Sequence, residues 1–431
     1  MSVLTSPVAV TARLPEAGTR RYLAAGTFIL LGLVDILIFG FFAHSGDAVF
    51  ALALPTARVS VPSIHVAAAP ACYLLGAITI AVGIARAAVD LSRLGKRLAI
   101  AIALLASLVA LLCWADAANS AGAVNVVDLL QGTVTAAIPL VLGALSGLLC
   151  ERSGVINIAI EGQLISGAFA SAAVASLVGA TVGLWSGVIA GAAVGGLVGL
   201  LLAVFAIKYR VDQIILGVVI NLLAMGMTDY LYDRVMAPYS NTWNTGNFFT
   251  DIKIPLLADI PIIGPIFFDS NVFLYITYIL IIVIQVGLFR TRWGLRVRAV
   301  GEHPTAADTV GIQVLWTRYR NVILGGMVAG IGGAYLAVGN VGFFSTGMSS
   351  GFGYIGLAAM IFGRWKPLGA VAAALLFGFS RQLGDVLGLL SVPVSSNILS
   401  MAPYLATIVA VAGLVGKVRA PAADGKPYVK A

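Results

Sequence analysis

Residues 153–163 read S-G-V-I-N-I-A-I-E-G-Q, which places a carboxylate, Glu161, inside a long apolar run. A charged side chain in hydrocarbon costs roughly 2.5–3.5 kcal/mol on insertion scales, so such a residue is a functional candidate with a partner to be found. Asn157 stands four positions earlier, the spacing that puts two side chains on one helix face. The pair reads as a polar patch turned into a helix bundle, because facing lipid is too costly. There it could bond the hydroxyls of a passing solute or hold a broken helix. Alternatively, Glu161 bonds backbone groups of a neighbouring segment or carries a proton. Asn221, in a later apolar run, is a third candidate for such a path. Asp35, in the first run, suits pairing with another helix instead.

Other chemistry is scarce. There are three histidines, His44, His65 and His303, and three well-separated cysteines, Cys72, Cys113 and Cys150. Neither a metal site nor a disulfide framework is expected from that count and spacing. No G-x-x-x-x-G-K-[ST] stretch and no H-E-x-x-H is present, so no phosphate loop and no zinc protease site is expected. No Ser–His–Asp set presents itself either, and no catalytic residue is assigned.

The elements that must position these residues are membrane segments. The chain of 431 residues is 60% hydrophobic and 10% charged, against about 25% charged in average chains. Runs of about 20 apolar residues suffice to span a bilayer. Twelve are read: 22–43, 65–85, 97–115, 126–150, 154–176, 183–207, 212–232, 271–289, 321–340, 352–363, 367–387 and 398–416. The tenth is short enough to be re-entrant. The fold class is therefore an all-α polytopic membrane protein of about 10–12 helices.

Basic residues set the orientation. Arg86, Arg93, Lys96 and Arg97 oppose Asp90, six arginines in 290–320 oppose Glu302 and Asp308, and the tail from Lys417 is also net basic. Residues 233–270 are net acidic and form an external loop or cap. Both termini are expected in the cytoplasm. The net charge of +8 reflects topology and does not point to nucleic acid. The Pro-, Ala- and Lys-rich tail after Arg419 is expected to be disordered.

Two further patterns stand out. Gly183, Gly187, Gly191, Gly195 and Gly199 recur at every fourth position, a ridge of small residues that lets helix backbones approach closely. Gly326 and Gly330 repeat it more weakly. In the basic loop, G-E-H-P-T-A-A-D-T-V-G-I predicts a helix of about ten residues with Pro304 in its first turn and Gly311 at its end. Glu302, His303, Pro304, Ala306, Ala307 and Gly311 mark it as a small-faced helix suited to docking in a partner's groove.

That loop, R-x-R-A-V-G-E-H-P-T-A-A-D-T-V-G-I, resembles the coupling segment of permease subunits of bacterial ABC importers for simple sugars and nucleosides. The stretches E-R-S-G-V-I-N-I-A-I-E-G-Q and G-Y-I-G-L-A-A-M-I-F-G-R-W-K-P-L-G-A are similar to two further motifs of that family, in the same order, and the nucleoside branch fits best. The resemblance implies a core at 126–416 of two pseudo-symmetric halves and a transport role with no enzyme activity. It also implies three kinds of partner: a cytoplasmic ATPase that uses ATP, a second permease of the same or a paralogous chain, and an extracytoplasmic solute-binding protein. His303 stands where that branch usually has Asn. Residues 22–120, with three extra membrane segments between the cytoplasmic 1–21 and the core, have no counterpart there. The alternative is a transporter driven by an ion gradient, with Glu161 and Asp35 as coupling sites. It would need an intramembrane acid in both halves, and the second half shows no clear one. The tail 417–431 is expected on the cytoplasmic side.

Overall fold

A computed structural model describes residues 18–390 except 44–45, 56–58, 60 and 118–122, then residues 392, 394, 395, 398 and 401, and finally 419–430. The twelfth segment, 398–416, falls almost wholly outside these residues. Two compact units are present, one formed mainly by the first 126 residues and the other mainly by 127–386 and the chain after 395.

In the first unit, α1 (Gly18–Val34) continues as a π-helical turn over Asp35–Gly40, followed by α2 (Ala68–Ala88) and α3 (Arg93–Ala117). Gly32 of α1 and Gly76 of α2 face each other's backbones. Asp35 is buried and accepts a 2.7 Å hydrogen bond from Ser107 of α3. Strands β1 (Asp47–Ala51), β2 (Ile64–Ala67) and β3 (Val124–Asn125) form a small sheet in the order β2-β1-β3. The Asp116 carboxylate at the end of α3 accepts from the amides of Val49 and Val124, tying β1 and β3 to the helix.

The second unit holds α4 (Val126–Glu151), α5 (Ile160–Val178), α6 (Ala180–Ala203) and α7 (Gln213–Leu231). After α7 come α8 (Ser240–Trp243), strand β4 (Ile252–Lys253), α9 (Ile263–Phe268) and β5 (Asp269–Ser270), with β4 and β5 antiparallel. These short elements fill the expected cap at 233–270. They are followed by α10 (Val272–Arg290), α11 (Arg292–Glu302), α12 (Pro304–Thr309), α13 (Val314–Ala334), α14 (Phe352–Phe362) and α15 (Pro367–Leu389). Ten helices among the described residues are long and apolar enough to cross a membrane. Side-chain caps start several: the Asp212 carboxylate accepts from Ile214 and Ile215 before α7, and Asn271 accepts from Phe273 before α10.

The glycine ridge of α6 packs backbone on backbone. Gly183 and Gly187 lie against the carbonyls of Ala175 and Ser171 in α5, while Gly195 and Gly199 lie against Gly326, Gly330 and Val322 of α13. Gly191 sits between Gly167 of α5 and Gly330 of α13. With no side chain between them, three helices approach closely enough for dispersion along their backbones.

Three expectations change. The helix expected from residue 154 begins only at Ile160, because Gly154 takes a left-handed φ of +87° and the Ile156 amide donates to the Gln213 side chain instead of to a helical turn. Asn157 therefore precedes the helix and does not share a face with Glu161. The docking helix is six residues, Pro304–Thr309, stopped by Gly311 at φ +83°, and the basic strip before it is itself the helix α11. The tail after Arg419, expected to be disordered, is folded: Ala423 and Tyr428 are buried. Its alanine and tyrosine side chains find an apolar seat that composition alone does not reveal.

Candidate functional site

The break before α5 and the start of the half-length helix α14 meet. The eleven residues of α14 span about 16 Å, roughly half a bilayer core. The first turn of a helix leaves backbone N–H groups unpaired, and inside a membrane such groups need partners. Glu161 supplies them, accepting from the amides of Gly351 at 2.8 Å and Gly353 at 2.7 Å. The same carboxylate lies in the first turn of α5, so it stands where two helix N-termini converge. Positive dipole ends favour a negative charge there.

Asn221 completes the junction. Its side-chain oxygen accepts from Gly162 N–H at 2.8 Å, and its Nδ2 donates to the Ile158 carbonyl and the Tyr354 hydroxyl. Asn157 serves a separate cluster, donating to Gln163 Oε1 at 3.0 Å and approaching Ser146 and Cys150. Glu161 and Asn221 are thus brought together across the break, while Asn157 anchors the irregular stretch to α4 and α5.

A second contact closes the other end of α14. Arg152 donates from Nε and Nη2 to the Trp365 carbonyl, at 2.9 and 2.6 Å, and Trp365 Nε1 donates to Glu151 at 2.6 Å. Arg364 and Trp365 both adopt left-handed φ, +56° and +52°, at the turn into α15. The Trp365 end of α14 thereby meets the end of α4. Arg318 of α13 reaches Gly154 at that same end. The chain leaving the far end of α13 therefore returns over 342–363, first as irregular backbone and then as half a helix.

Beside Phe352 opens a cavity of about 430 Å³. Pro139 of α4 has no N–H, which frees the carbonyl of Thr135 one turn earlier. The Tyr335 hydroxyl donates to that carbonyl at 3.0 Å. Across the cavity, Arg381 lies over the Phe352 ring at 4.6 Å from its centroid, with Gln382 and Asp385 on the same stretch of α15. Arg381 and Asp385 are exposed on a helix of spanning length. Asn340, in the π-helical continuation of α13 over Tyr335–Val341, completes the polar rim.

On α12, the two alanines part company. Ala306 is exposed, whereas Ala307 is buried with Val300, Val314 and Tyr428. His303 is exposed and pairs with the Thr305 hydroxyl at 3.1 Å.

The profile of the family described as branched-chain amino acid transport system, permease component, matches residues 129–415. The chain belongs to that permease family. This permease is 41% identical over 311 residues to the guanosine ABC transporter permease protein NupQ of Bacillus subtilis, covering 70% of this chain and 96% of that one. It is 38% identical to the nucleoside ABC transporter permease protein NupC of Lactococcus lactis, over 71% and 99% of the two chains. A putative glucose ABC transporter permease of Haloferax volcanii is 31% identical over 65% of this chain and 89% of its own. No solved structure matches.

The permease is thus the multi-pass membrane component of an ABC transporter, a transport subunit whose ATP hydrolysis belongs to a separate protein. ABC permeases work in general with ATPase and binding-protein partners, and paralogous permeases occur among the relatives. Residues 22–120 lie outside the family match. Sequence reasoning passed over Arg381, Gln382 and Asp385, although charge inside the run 367–387 was the signal. Asp385 also means that the second half does carry an acidic side chain in a spanning helix. Among the described residues no group of His, Cys, Asp and Glu could hold a metal, and all three cysteines are free and buried.

Proposed function

We propose that this permease moves a nucleoside, or a related solute bearing a sugar, across the cytoplasmic membrane through the cavity beside Phe352. The observation that carries this reading is the set Arg381, Gln382 and Asp385, two exposed charged groups and a half-buried amide on a spanning helix, gathered around that cavity. Facing lipid, they would be expensive; facing a water-filled path, they offer both donors and acceptors. A volume of about 430 Å³ lies within the roughly 300–1,000 Å³ of small-molecule sites. The names of two relatives matched over nearly their whole length, a guanosine and a nucleoside permease, support the solute class.

In this reading the path lies between this chain and a second permease, the same or paralogous, which covers the Arg381 face. Glu161 and Asn221 hold the broken backbone at the path, with Asn157 behind them. A solute-binding protein delivers at the external face, both termini lie in the cytoplasm, and the ATPase receives α12, with Glu302, His303, Pro304 and Ala306 outward. Gly311 ends that helix and Ala307 seats it.

The test pairs uptake with co-purification. Cells carrying the intact complex should take up labelled guanosine, and Asp385→Asn with Arg381→Gln should reduce uptake while leaving the ATPase bound. Ala306→Arg should release the ATPase without lowering the permease in the membrane. Uptake indifferent to the α15 changes, or an ATPase unaffected by Ala306→Arg, sinks the corresponding half.

A further inference from the structure

The C-terminal segment touches both ends of the machinery just described. At one end, Tyr428 packs with Val300, Ala307 and Val314, with the Asp308 carboxylate beside its hydroxyl. It is thereby seated on the buried side of α12. In its middle, the Ala423 amide donates to the Gly301 carbonyl at 2.9 Å and the Ala422 amide to Glu302 Oε2 at 3.2 Å. At the other end, Asp424 shares a hydrogen bond with Glu151, and the Lys426 carbonyl accepts from Arg318 Nη1 at 2.9 Å. Gly425, at φ +70°, lies so close to Ile156 that a Cβ would come within 2.7 Å of its Cδ1. The Ala423 carbonyl crowds Gly154 in the same way.

We propose that residues 421–428 are a strut that passes movement of α12 to the irregular stretch 152–159, and through it to the Glu161 junction. This rests on the reading of α12 as the ATPase-facing helix. Residues 154–159 have few backbone bonds of their own, so a push on Ile156 and Gly154 displaces them more readily than it would a closed helical turn. Four residues farther along, Ile160 and Glu161 begin α5 and hold the start of α14. Tyr428, Asp424 and Gly425 are positioning residues, acting on the path through the segments they touch.

The experiment uses the purified complex with its ATPase in vesicles, reading ATP hydrolysis and guanosine uptake in the same preparation. The variants are Tyr428→Ala, Tyr428→Phe and a chain ending at residue 419. Tyr428→Ala and the shortened chain should keep the ATPase bound and hydrolysing, while guanosine moved per ATP falls at least about fivefold, the lower range of ordinary site-to-site coupling. Tyr428→Phe keeps the packed ring and should hold the ratio near wild type. An unchanged ratio in Tyr428→Ala overturns the strut, as does an equal loss in Tyr428→Phe. If the shortened chain does not assemble, Tyr428→Ala alone decides. A wild-type complex that hydrolyses ATP and moves no guanosine instead removes the solute assignment, and a wild type that holds no ATPase removes the coupling reading on which the strut depends.

Discussion

Gly353 donates its backbone N–H to Glu161 from 192 positions farther along the chain, at 2.7 Å, and its missing side chain makes the approach possible. A Cβ there would lie 2.8 Å from Glu161 Oε2 and 2.7 Å from Glu161 Cα. The glutamate and the glycine therefore act as a unit.

Glu161→Gln should destabilise the permease by about 1.5–3 kcal/mol, the usual worth of hydrogen bonds to a charged group. The amide NH2 must face a backbone N–H that it cannot satisfy. Gly353→Ala should cost at least as much, through backbone that cannot yield. Thermal unfolding in detergent measures both, and the double variant should fall short of the sum of the two because they share one contact.

The glycines of α6 and α7 separate packing from propensity. Gly195→Ala should destabilise clearly, since a Cβ meets the backbone of Gly326 and Gly330. Gly226 has nothing within 4 Å of its Cβ position, and Gly226→Ala should be neutral or stabilise by up to about 1 kcal/mol through helix propensity alone. Equal effects of the two in the same unfolding assay would contradict the close approach of α6 and α13.

Tyr335 and Pro139 form a testable pair. Tyr335→Phe leaves the Thr135 carbonyl without its donor and should cost about 1–3 kcal/mol. Pro139→Ala restores an N–H to that carbonyl, so in its background Tyr335→Phe should cost much less. A double-mutant cycle on unfolding free energies reads the difference.

Docking of the tail should depend on pH. Burial raises Asp424 from 3.8 to about 6, against the pull of Arg318 on the same carboxyl, with Glu151 and Cys150 also facing it. The docked segment therefore binds a proton more readily than the free one. Docking is at full strength below about 4 and is weakened as pH rises towards about 6, by up to about tenfold per unit. Hydrogen exchange at residues 422–428 should accordingly speed up as pH rises through that window, after correction for intrinsic exchange. Asp424→Asn should flatten the profile.

Much of this architecture was legible because hydrocarbon punishes polarity so strictly. The apolar runs, the glycine ridge and the oddity of Glu161 all follow from that one constraint. What escaped depended on partners distant in sequence. Whether residues 154–159 are helical is decided by Gln213, and nothing local to Asn157 announces it. Ala306 and Ala307 look alike until Tyr428 covers one of them. The tail looks disordered because its seat is built from α11, α12 and α13. Arg381 and Asp385 broke the apolar rule as openly as Glu161 did, and their place beside Phe352 is visible only once the return through 342–363 is traced.

The turn at Arg364–Trp365 carries a mechanical consequence. Two successive residues with side chains are held in left-handed geometry, at roughly 1–2 kcal/mol each, and Arg152 and Glu151 keep them there. The corner is a spring kept wound by its catch. A change that drew Arg152 off the Trp365 carbonyl would remove a contact that holds this corner in its costly geometry.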